Sequence, residues 1–301
     1  MKSYSKAWSV AAVLTSAALL TQYAPSATTR PTSPRGGGNP NPGVPSNCLS
    51  TNQVGNSNPG VHPPCSKPYG LAYGEWSAKW WEWVFSIPAP TNPQFQGIPA
   101  SNPPAVVDCS VGQSGPVWFL AGDFGGIAAR QCKDPIPSGV SIFFPVANNG
   151  FGVLGFDCYG TGVDALGKPV PNPRPTILAN CLDPVWSVPD PTFPFPILSW
   201  SQLVAAVAAG FDPTPPISAE IDGHSLQNLG AYRAQAPMFS ITIPDDSLLR
   251  FIPLPAGTYF PNGSDGFWVM LTPLSKGPHV VHFSIDGSLD VTYHFSVGPG
   301  H

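Results

Sequence analysis

The strongest periodic pattern of apolar and polar residues lies at residues 73–88, YGEWSAKWWEWVFSIP, which hold four of the nine tryptophans. At about 100° per residue, one broad side of a helix collects the large apolar side chains of Tyr73, Trp76, Trp80, Trp83, Val84 and Ile87. The opposite stripe collects Glu75, Lys79, Glu82 and Ser86. Pro88 has no backbone N–H, so the helix should end at Ile87 or just before it. The pattern predicts one amphipathic helix that buries its tryptophans.

Two functional uses of this helix compete with that structural interpretation. Trp81, on the flank of the apolar face, offers a ring on which a sugar can stack. Glu75 and Glu82 offer a carboxylate pair of the kind that cleaves glycosidic bonds. However, tryptophans at helical spacing are more often core residues, and both glutamates lie within one turn of Lys79, which favours solvated ion pairs. Trp81, Glu75 and Glu82 therefore stand as candidate ligand-binding residues beside a structural alternative.

Short apolar runs separated by turn residues make up most of the remaining chain. The 40 prolines and 31 glycines favour many short strands over long helices. Runs of β-branched and aromatic residues predict strands at residues 117–121, 140–146, 151–156, 238–243, 266–271, 279–285 and 289–297. A second, short helix is predicted at residues 200–209. Because strands and helices do not alternate, a parallel nucleotide-binding sheet is not expected.

The predicted fold is mainly β: an antiparallel β-sandwich, of jelly-roll or immunoglobulin-like type, with the tryptophan helix on or between its sheets and disulfides in its loops. Its last two strands allow a prediction of register. With residues 286–288 as a three-residue loop and Gly287 in the left-handed conformation, one face of the hairpin is wholly apolar. That face pairs Ile285 with Leu289, Phe283 with Val291 and Val281 with Tyr293. The other face carries Ser284, Asp290, His282, Thr292 and His294.

His282, His294 and Asp290 on that polar face form the best cluster of chemically active groups. Glu220 and Asp222 of the SAEIDG segment are further candidates. Two imidazoles and a carboxylate are able to bind a divalent metal or to serve as acid and base. The alternative is that these residues lie on the solvated side of an edge hairpin and have no chemical role. This alternative is favoured because H-x-H and H-E-x-x-H spacings are absent. We therefore predict no metal and no cofactor, and keep the five residues as catalytic candidates.

The first 27 residues have the pattern of a secretory signal peptide, with Lys2 and Lys6 before an apolar run at residues 8–20 and small residues after it. That run is too short to span a membrane, and no later stretch approaches ~20 uninterrupted apolar residues. Residues 28–64 are rich in Pro, Gly, Asn and Ser, which predicts a linker or stalk, and residues 65–301 form the predicted β-rich globular domain. The sequence thus predicts a secreted protein, extracellular or periplasmic.

All six cysteines lie beyond residue 27, and an even number in an exported chain predicts disulfides. Sequential pairing closes three short loops, so we expect Cys48 with Cys65, Cys109 with Cys132 and Cys158 with Cys181. Crossed pairings stay open, because connectivity does not follow from spacing alone. The absence of C-x-x-C spacing argues against a zinc site.

Two polar signals precede the predicted strand at residues 266–271. The NGS tripeptide at Asn262 is a formal acceptor for N-glycosylation, which predicts an exposed loop. Asp265 and Gly266 predict a turn into the strand in preference to a calcium-binding loop.

Four longer stretches are distinctive: YGEWSAKWWEW, CSVGQSGPVWFLAG with the following RQC, IFFPVANN, and DGFWVMLTPLSKGPHVVHFSIDG leading to DVTYHFSV. Together they resemble a group of secreted, mostly bacterial, uncharacterised proteins, and the resemblance covers residues 69–297. It implies export. It brings no catalytic residues, because no activity is established for that group.

The sequence favours a secreted, non-catalytic protein that binds a polysaccharide, another surface component or a partner protein, since no catalytic constellation has a recognised spacing. The alternative is an extracellular hydrolase or lyase that acts on a polymer through carboxylates or histidines brought together from distant strands. The net charge is −4 and only 10% of residues are charged, so nucleic acid is not an expected partner.

Overall fold

The computed structural model describes residues 58–123, 125–152, 208–247 and 256–299, all within one compact unit, Asn41–His301. They hold helix α1 (Tyr73–Ser86) and twelve strands. The strands are β1 (Ala105–Val107), β2 (Val117–Phe119), β3 (Gly126–Cys132), β4 (Ile136–Pro137), β5 (Ser141–Gly152), β6 (Ile217–Ile221), β7 (His224–Ser225), β8 (Arg233–Gln235), β9 (Phe239–Ile243), β10 (Gly257–Leu271), β11 (Gly277–Ile285) and β12 (Leu289–Gly298). The helix predicted at residues 200–209 lies outside the described residues, except for Ala208 and Ala209, which are helical.

The strands form two sheets, and both are mixed. The seven-stranded sheet has the order β1-β3-β12-β11-β6-β7 with β4 also on β12, and the five-stranded sheet has the order β2-β5-β10-β8 with β9 also on β10. Four pairs run parallel: β1 with β3, β3 with β12, β4 with β12 and β2 with β5. The fold is mainly β, as predicted, but its sheets are mixed, whereas an antiparallel sandwich was predicted. A tight turn makes the two strands of a hairpin antiparallel. Strands β3 and β12 are far apart in the chain, so no local signal in the sequence indicates whether they run parallel or antiparallel.

The five-stranded sheet lies between helix α1 and the seven-stranded sheet. On one side, Trp80 of α1 meets Trp268 of β10 with ring centroids 5.5 Å apart. On the other side, Phe144 of β5 stacks on Phe283 of β11 at 5.2 Å. Because both faces of β5 and β10 are covered, their central residues read as continuous apolar runs and not as an alternating pattern.

Helix α1 confirms the predicted helix and its tryptophan face. It ends at Ser86, and Tyr73, Trp76, Trp80, Trp83 and Val84 are buried. Each of the three buried indoles donates its N–H to a backbone carbonyl: Trp76 to Pro68 at 3.0 Å, Trp80 to Leu120 at 2.8 Å and Trp83 to Val111 at 2.9 Å. The helix therefore joins the five-stranded sheet to the loops around it, by apolar contact and by directed hydrogen bonds.

Strands β5 and β10 are longer than the sequence predicted. Residues 140–146 and 151–156 were expected to be separate strands, but β5 is continuous from Ser141 to Gly152, and residues 153–156 lie outside the described part. The glycines between the apolar runs allow close packing. A Cβ on Gly266 would lie 2.7 Å from the Ala147 carbonyl oxygen, and one on Gly150 would lie 2.7 Å from the Trp81 ring. The turn predicted at Asp265 and Gly266 is therefore wrong, because these residues continue β10.

Asn262 also lies in β10 and not in an exposed loop. Its side chain is only 3% exposed, and its amide donates to the carbonyl oxygens of Phe239 at 3.1 Å and Tyr259 at 2.8 Å. The exposed loop predicted from the NGS tripeptide is wrong, since a buried amide with two hydrogen bonds cannot carry a glycan in the folded chain.

The C-terminal hairpin has the predicted register. Ile285 pairs with Leu289, Phe283 with Val291 and Val281 with Tyr293, and Gly287 in the loop has φ 70°. The apolar face points into the core, where Val281, Phe283 and Val291 are fully buried. Only one loop length places the apolar residues of both strands on the same face, so the sequence was sufficient to predict the register.

Two cross-links tie the loops to this core. Cys109 is joined to Cys132, as predicted. Cys65 is also disulfide-bonded, while Cys48, Cys158 and Cys181 lie outside the described residues. Residues 58–64, which the sequence assigned to the linker, lie on the domain, because Val61 is buried and bridges to Leu271 of β10.

Candidate functional site

The seven-stranded sheet turns one face to the core and the other to solvent. Along β12 the alternate residues Val291 and Tyr293 are buried, and the residues between them are half-exposed. Strand pairing places the solvent-facing residues in three rows: Ser218, Ser284, Asp290 and Ile127; Ser225, Glu220, His282, Thr292 and Ala129; Val280, His294, Gln131 and Val106. We call these thirteen residues the outer face. Neighbouring strands lie ~4.8 Å apart and neighbouring rows ~7 Å apart, so the outer face is a regular two-dimensional array of side chains.

His282 is at the centre of the outer face. Its Nε2 lies 3.2 Å from a carboxylate oxygen of Asp290, and the His282 and Asp290 side chains are 31% and 50% exposed. Glu220 is the direct cross-strand neighbour of His282 and accepts a hydrogen bond of 2.8 Å from the Ser225 hydroxyl. The structure thus brings together three of the five catalytic candidates, each within reach of solvent.

The other two catalytic candidates do not join this group. His294 is in the next row, beside Val280 and Gln131. Asp222 lies in the β6–β7 turn, where its carboxylate accepts from the backbone N–H of Val280 and contacts His279, each at 2.8 Å. In the described part of the chain, no set of three or more His, Cys, Asp or Glu residues is placed to hold a metal ion.

The candidate ligand-binding residues of helix α1 have structural partners. The Trp81 ring stacks on Phe85 with centroids 5.4 Å apart and an interplanar angle of 16°, and it also lies against Gly150. Glu75 accepts a hydrogen bond of 2.8 Å from the backbone N–H of Ala72, before the helix begins. Glu82 pairs with Lys79 at 2.8 Å on the exposed side. Phe85 therefore covers one face of the half-buried Trp81 ring, Glu75 caps the start of the helix, and Glu82 forms a surface ion pair.

The structure also brings together a serine and a histidine that the sequence did not single out. Ser141 Oγ lies 3.2 Å from His62 Nε2 and 3.1 Å from the Tyr69 hydroxyl, and burial lowers the pKa of His62. Such a pair resembles a nucleophile with its base. However, Ser141 is 0% exposed, so a substrate cannot approach its hydroxyl. The three side chains instead hold the segment before α1 against β5. They are far apart in sequence, and no local spacing would have revealed them.

Arg130 forms a second buried polar group that the sequence did not reveal. Its guanidinium lies 3.3 Å from the Asp123 carboxylate, and it donates to the Tyr293 hydroxyl at 3.1 Å and to the Gln96 carbonyl at 2.8 Å. Burial raises the pKa of Tyr293. Arg130 is fully buried, so this group fixes the contact between β3, β12 and the adjoining loops and offers no surface to a ligand.

Comparisons with protein-family models, with curated proteins and with solved structures give no match. Among the described residues, no helix has the length and apolar character needed to cross a membrane. The geometry of the outer face is therefore the main guide to function.

Proposed function

We propose that this chain is a secreted, non-catalytic binding protein, that the outer face is its ligand-binding surface, and that the ligand is an extracellular polysaccharide. The observation that carries the proposal is the ordered array of hydroxyl, imidazole, carboxylate and amide groups on one solvent-facing sheet. The buried core behind β11 and β12 holds the backbone under this array rigid.

The chemistry of the array supports a polyhydroxylated ligand. Sugar hydroxyls both donate and accept hydrogen bonds, and the outer face offers both kinds of partner, including the Gln131 amide, the Thr292 hydroxyl and the Asp290 carboxylate. Val106 and Ile127, which are 68% and 58% exposed, add an apolar border where the C–H face of a sugar ring can rest. An open surface several strands wide suits an extended polymer better than a small molecule, which prefers a concave pocket.

The proposal includes the expected route and architecture. Residues 1–27 direct export, and disulfides stabilise the domain in an oxidising compartment. The outer face is the side of the seven-stranded sheet that is remote from helix α1 and from the five-stranded sheet.

A binding experiment with matched variants tests the proposal. The purified chain is retained on one or more immobilised or insoluble polysaccharides, and the triple variant His282→Ala/Thr292→Ala/Gln131→Ala binds at least tenfold more weakly. Thr242→Ala serves as the control, because Thr242 is also an exposed strand threonine but lies on β9 of the other sheet. Retention on no polysaccharide, or unchanged affinity of the triple variant, would refute the proposal.

One observation favours a hydrolase or lyase as the second candidate: His282 is held by Asp290 and lies beside Glu220, so an imidazole base between two carboxylates faces solvent. Product analysis of the same polysaccharides distinguishes the two functions. New reducing ends or unsaturated sugars that disappear in His282→Gln would establish an enzyme, and intact polymer together with retention would support binding alone.

A further inference from the structure

His279, at the start of β11, is held by two hydrogen-bond acceptors. Its ring is only 8% exposed. Nδ1 lies 2.8 Å from a carboxylate oxygen of Asp222, and Nε2 lies 2.8 Å from the backbone carbonyl oxygen of Ser275. Neither acceptor can donate a proton to the ring, because one is a carboxylate and the other a carbonyl.

This geometry selects the protonated ring. A neutral imidazole has one N–H, so one of the two short contacts would set a nitrogen lone pair against an oxygen lone pair. The imidazolium donates to both. Burial lowers the pKa of His279, but the hydrogen bonds that its ring donates to Asp222 and Ser275 and the negative charge of Asp222 outweigh burial, and the pKa is raised above its ordinary value. On β12, the uncharged ring of Phe295 lies 5.9 Å from the His279 ring, measured between centroids. The nearby charged or titratable residues Lys276 and His224 are exposed.

The two acceptors belong to different parts of the fold. Asp222 and Gly223, with φ 52° and 78°, form the two-residue turn between β6 and β7. Ser275 lies in residues 272–276, which connect β10 to β11. The same connection is held at its other end, where the Thr272 N–H donates to the Gly60 carbonyl at 2.9 Å. His279 thus fastens the β10–β11 connection to the β6–β7 turn.

We propose that His279 is a proton-dependent clasp that holds residues 272–276 when its ring is protonated and releases the Ser275 carbonyl when it loses one proton. The proton is lost from Nε2, because Nδ1–H keeps the stronger, charge-assisted bond to the Asp222 carboxylate. The connection then loses the anchor at Ser275 but keeps the Thr272 hydrogen bond to Gly60 and the packing of Leu274 against the core, and the strands on either side keep their pairing.

The direction of the pH effect follows from the raised pKa of His279. A group whose pKa is higher in the closed state than in the open state stabilises the closed state. This stabilisation is complete at pH values below the open-state pKa, which is ~6.5 for histidine. That stabilisation is lost as the pH rises through the closed-state pKa. The clasp is therefore closed in mildly acidic medium and opens towards alkaline pH.

Nitrogen-15 NMR of the histidine rings in the folded, full-length protein tests the first step. At pH 6.5 we expect both His279 nitrogens to carry protons, and at higher pH we expect Nε2 to lose its proton while Nδ1 retains one. A neutral His279 ring at pH 6, or loss of the proton from Nδ1 first, would overturn the proposal.

Amide hydrogen exchange, corrected for the intrinsic effect of pH, tests the second step. Protection of the Thr272 amide, which donates to the Gly60 carbonyl in the closed connection, should fall through the NMR midpoint, by about tenfold for each pH unit by which the closed-state pKa exceeds the open-state pKa. Asp222→Asn removes the charged acceptor and should move the midpoint down. Asp286→Asn is the matched control in the β11–β12 loop and should leave it unchanged. Constant protection across the midpoint, or equal midpoints in the two variants, would refute the clasp.

Discussion

Replacing Trp80 by alanine tests whether the tryptophan face of helix α1 is a structural core. Trp80 is 0% exposed, lies edge-on to Trp268, and donates its N–H to the Leu120 carbonyl. Truncation of a fully buried tryptophan typically costs ~3–5 kcal/mol of unfolding free energy. Leaving the Leu120 carbonyl without its partner adds roughly 1–3 kcal/mol. The expected loss, about 5 kcal/mol, is comparable with the entire stability of a small domain, ~5–15 kcal/mol.

Two further variants separate the contributions. Trp80→Phe keeps an aromatic ring at the site but removes the N–H, so we expect a loss of ~2 kcal/mol. Trp81→Ala is the matched control on the same helix, because Trp81 is only half-buried and its N–H has no acceptor among the described residues. We expect it to be less destabilising than Trp80→Ala.

Urea unfolding followed by circular dichroism measures these differences, with Trp80→Ala shifting the midpoint more than either other variant. Where Trp80→Ala is too unstable to purify, the fraction that remains soluble on expression, relative to Trp81→Ala, replaces the midpoint. A Trp80→Ala protein with the wild-type midpoint and lost polysaccharide binding would refute the reasoning and make the face a binding platform.

Three other predictions follow from single features. Replacing Cys109 and Cys132 by serine opens a loop with a sequence separation of 23; we expect a loss of ~3 kcal/mol in urea unfolding. Asn262 should be unmodified by mass spectrometry after secretion from a glycosylating host, and Asn262→Gln should lower Tm because two buried hydrogen bonds are disturbed. The double variant His282→Ala/His294→Ala should change Tm little, and a chelator should leave Tm of the wild type unchanged, whereas stoichiometric metal lost in that variant would contradict this.

Local periodicity was sufficient to predict the elements whose geometry depends on residues close together in the chain. Helix α1 shows its buried side through spacing alone, and the β11–β12 hairpin shows its register because only one loop length keeps both faces consistent. The pairing of Cys109 with Cys132 follows from a short loop. The same hairpin argument placed Asp290 and His282 on one solvent-facing surface.

Glycine and asparagine segments were misread for a physical reason. Residues 148–152 and 262–266 carry the composition of turns, yet they pair with each other inside β5 and β10. Glycine there provides room for Trp81 and for the Ala147 carbonyl of the neighbouring strand. The sequence shows that glycine has no side chain at these positions. Only the packing shows whether glycine is there to form a turn or to let a neighbouring segment come close.

By itself, the sequence determined a mainly β protein with one tryptophan helix and a final hairpin of fixed register, and it favoured the loop closed by Cys109 and Cys132. These features depend on residues close together in the chain, whose spacing restricts their geometry. Only the tertiary structure decided the parallel pairing of β3 with β12, the assembly of the outer face, and the contact between His279 and Asp222, which are 57 residues apart. Such contacts arise when buried surfaces from distant segments meet, and no local pattern of the sequence encodes which segments will do so.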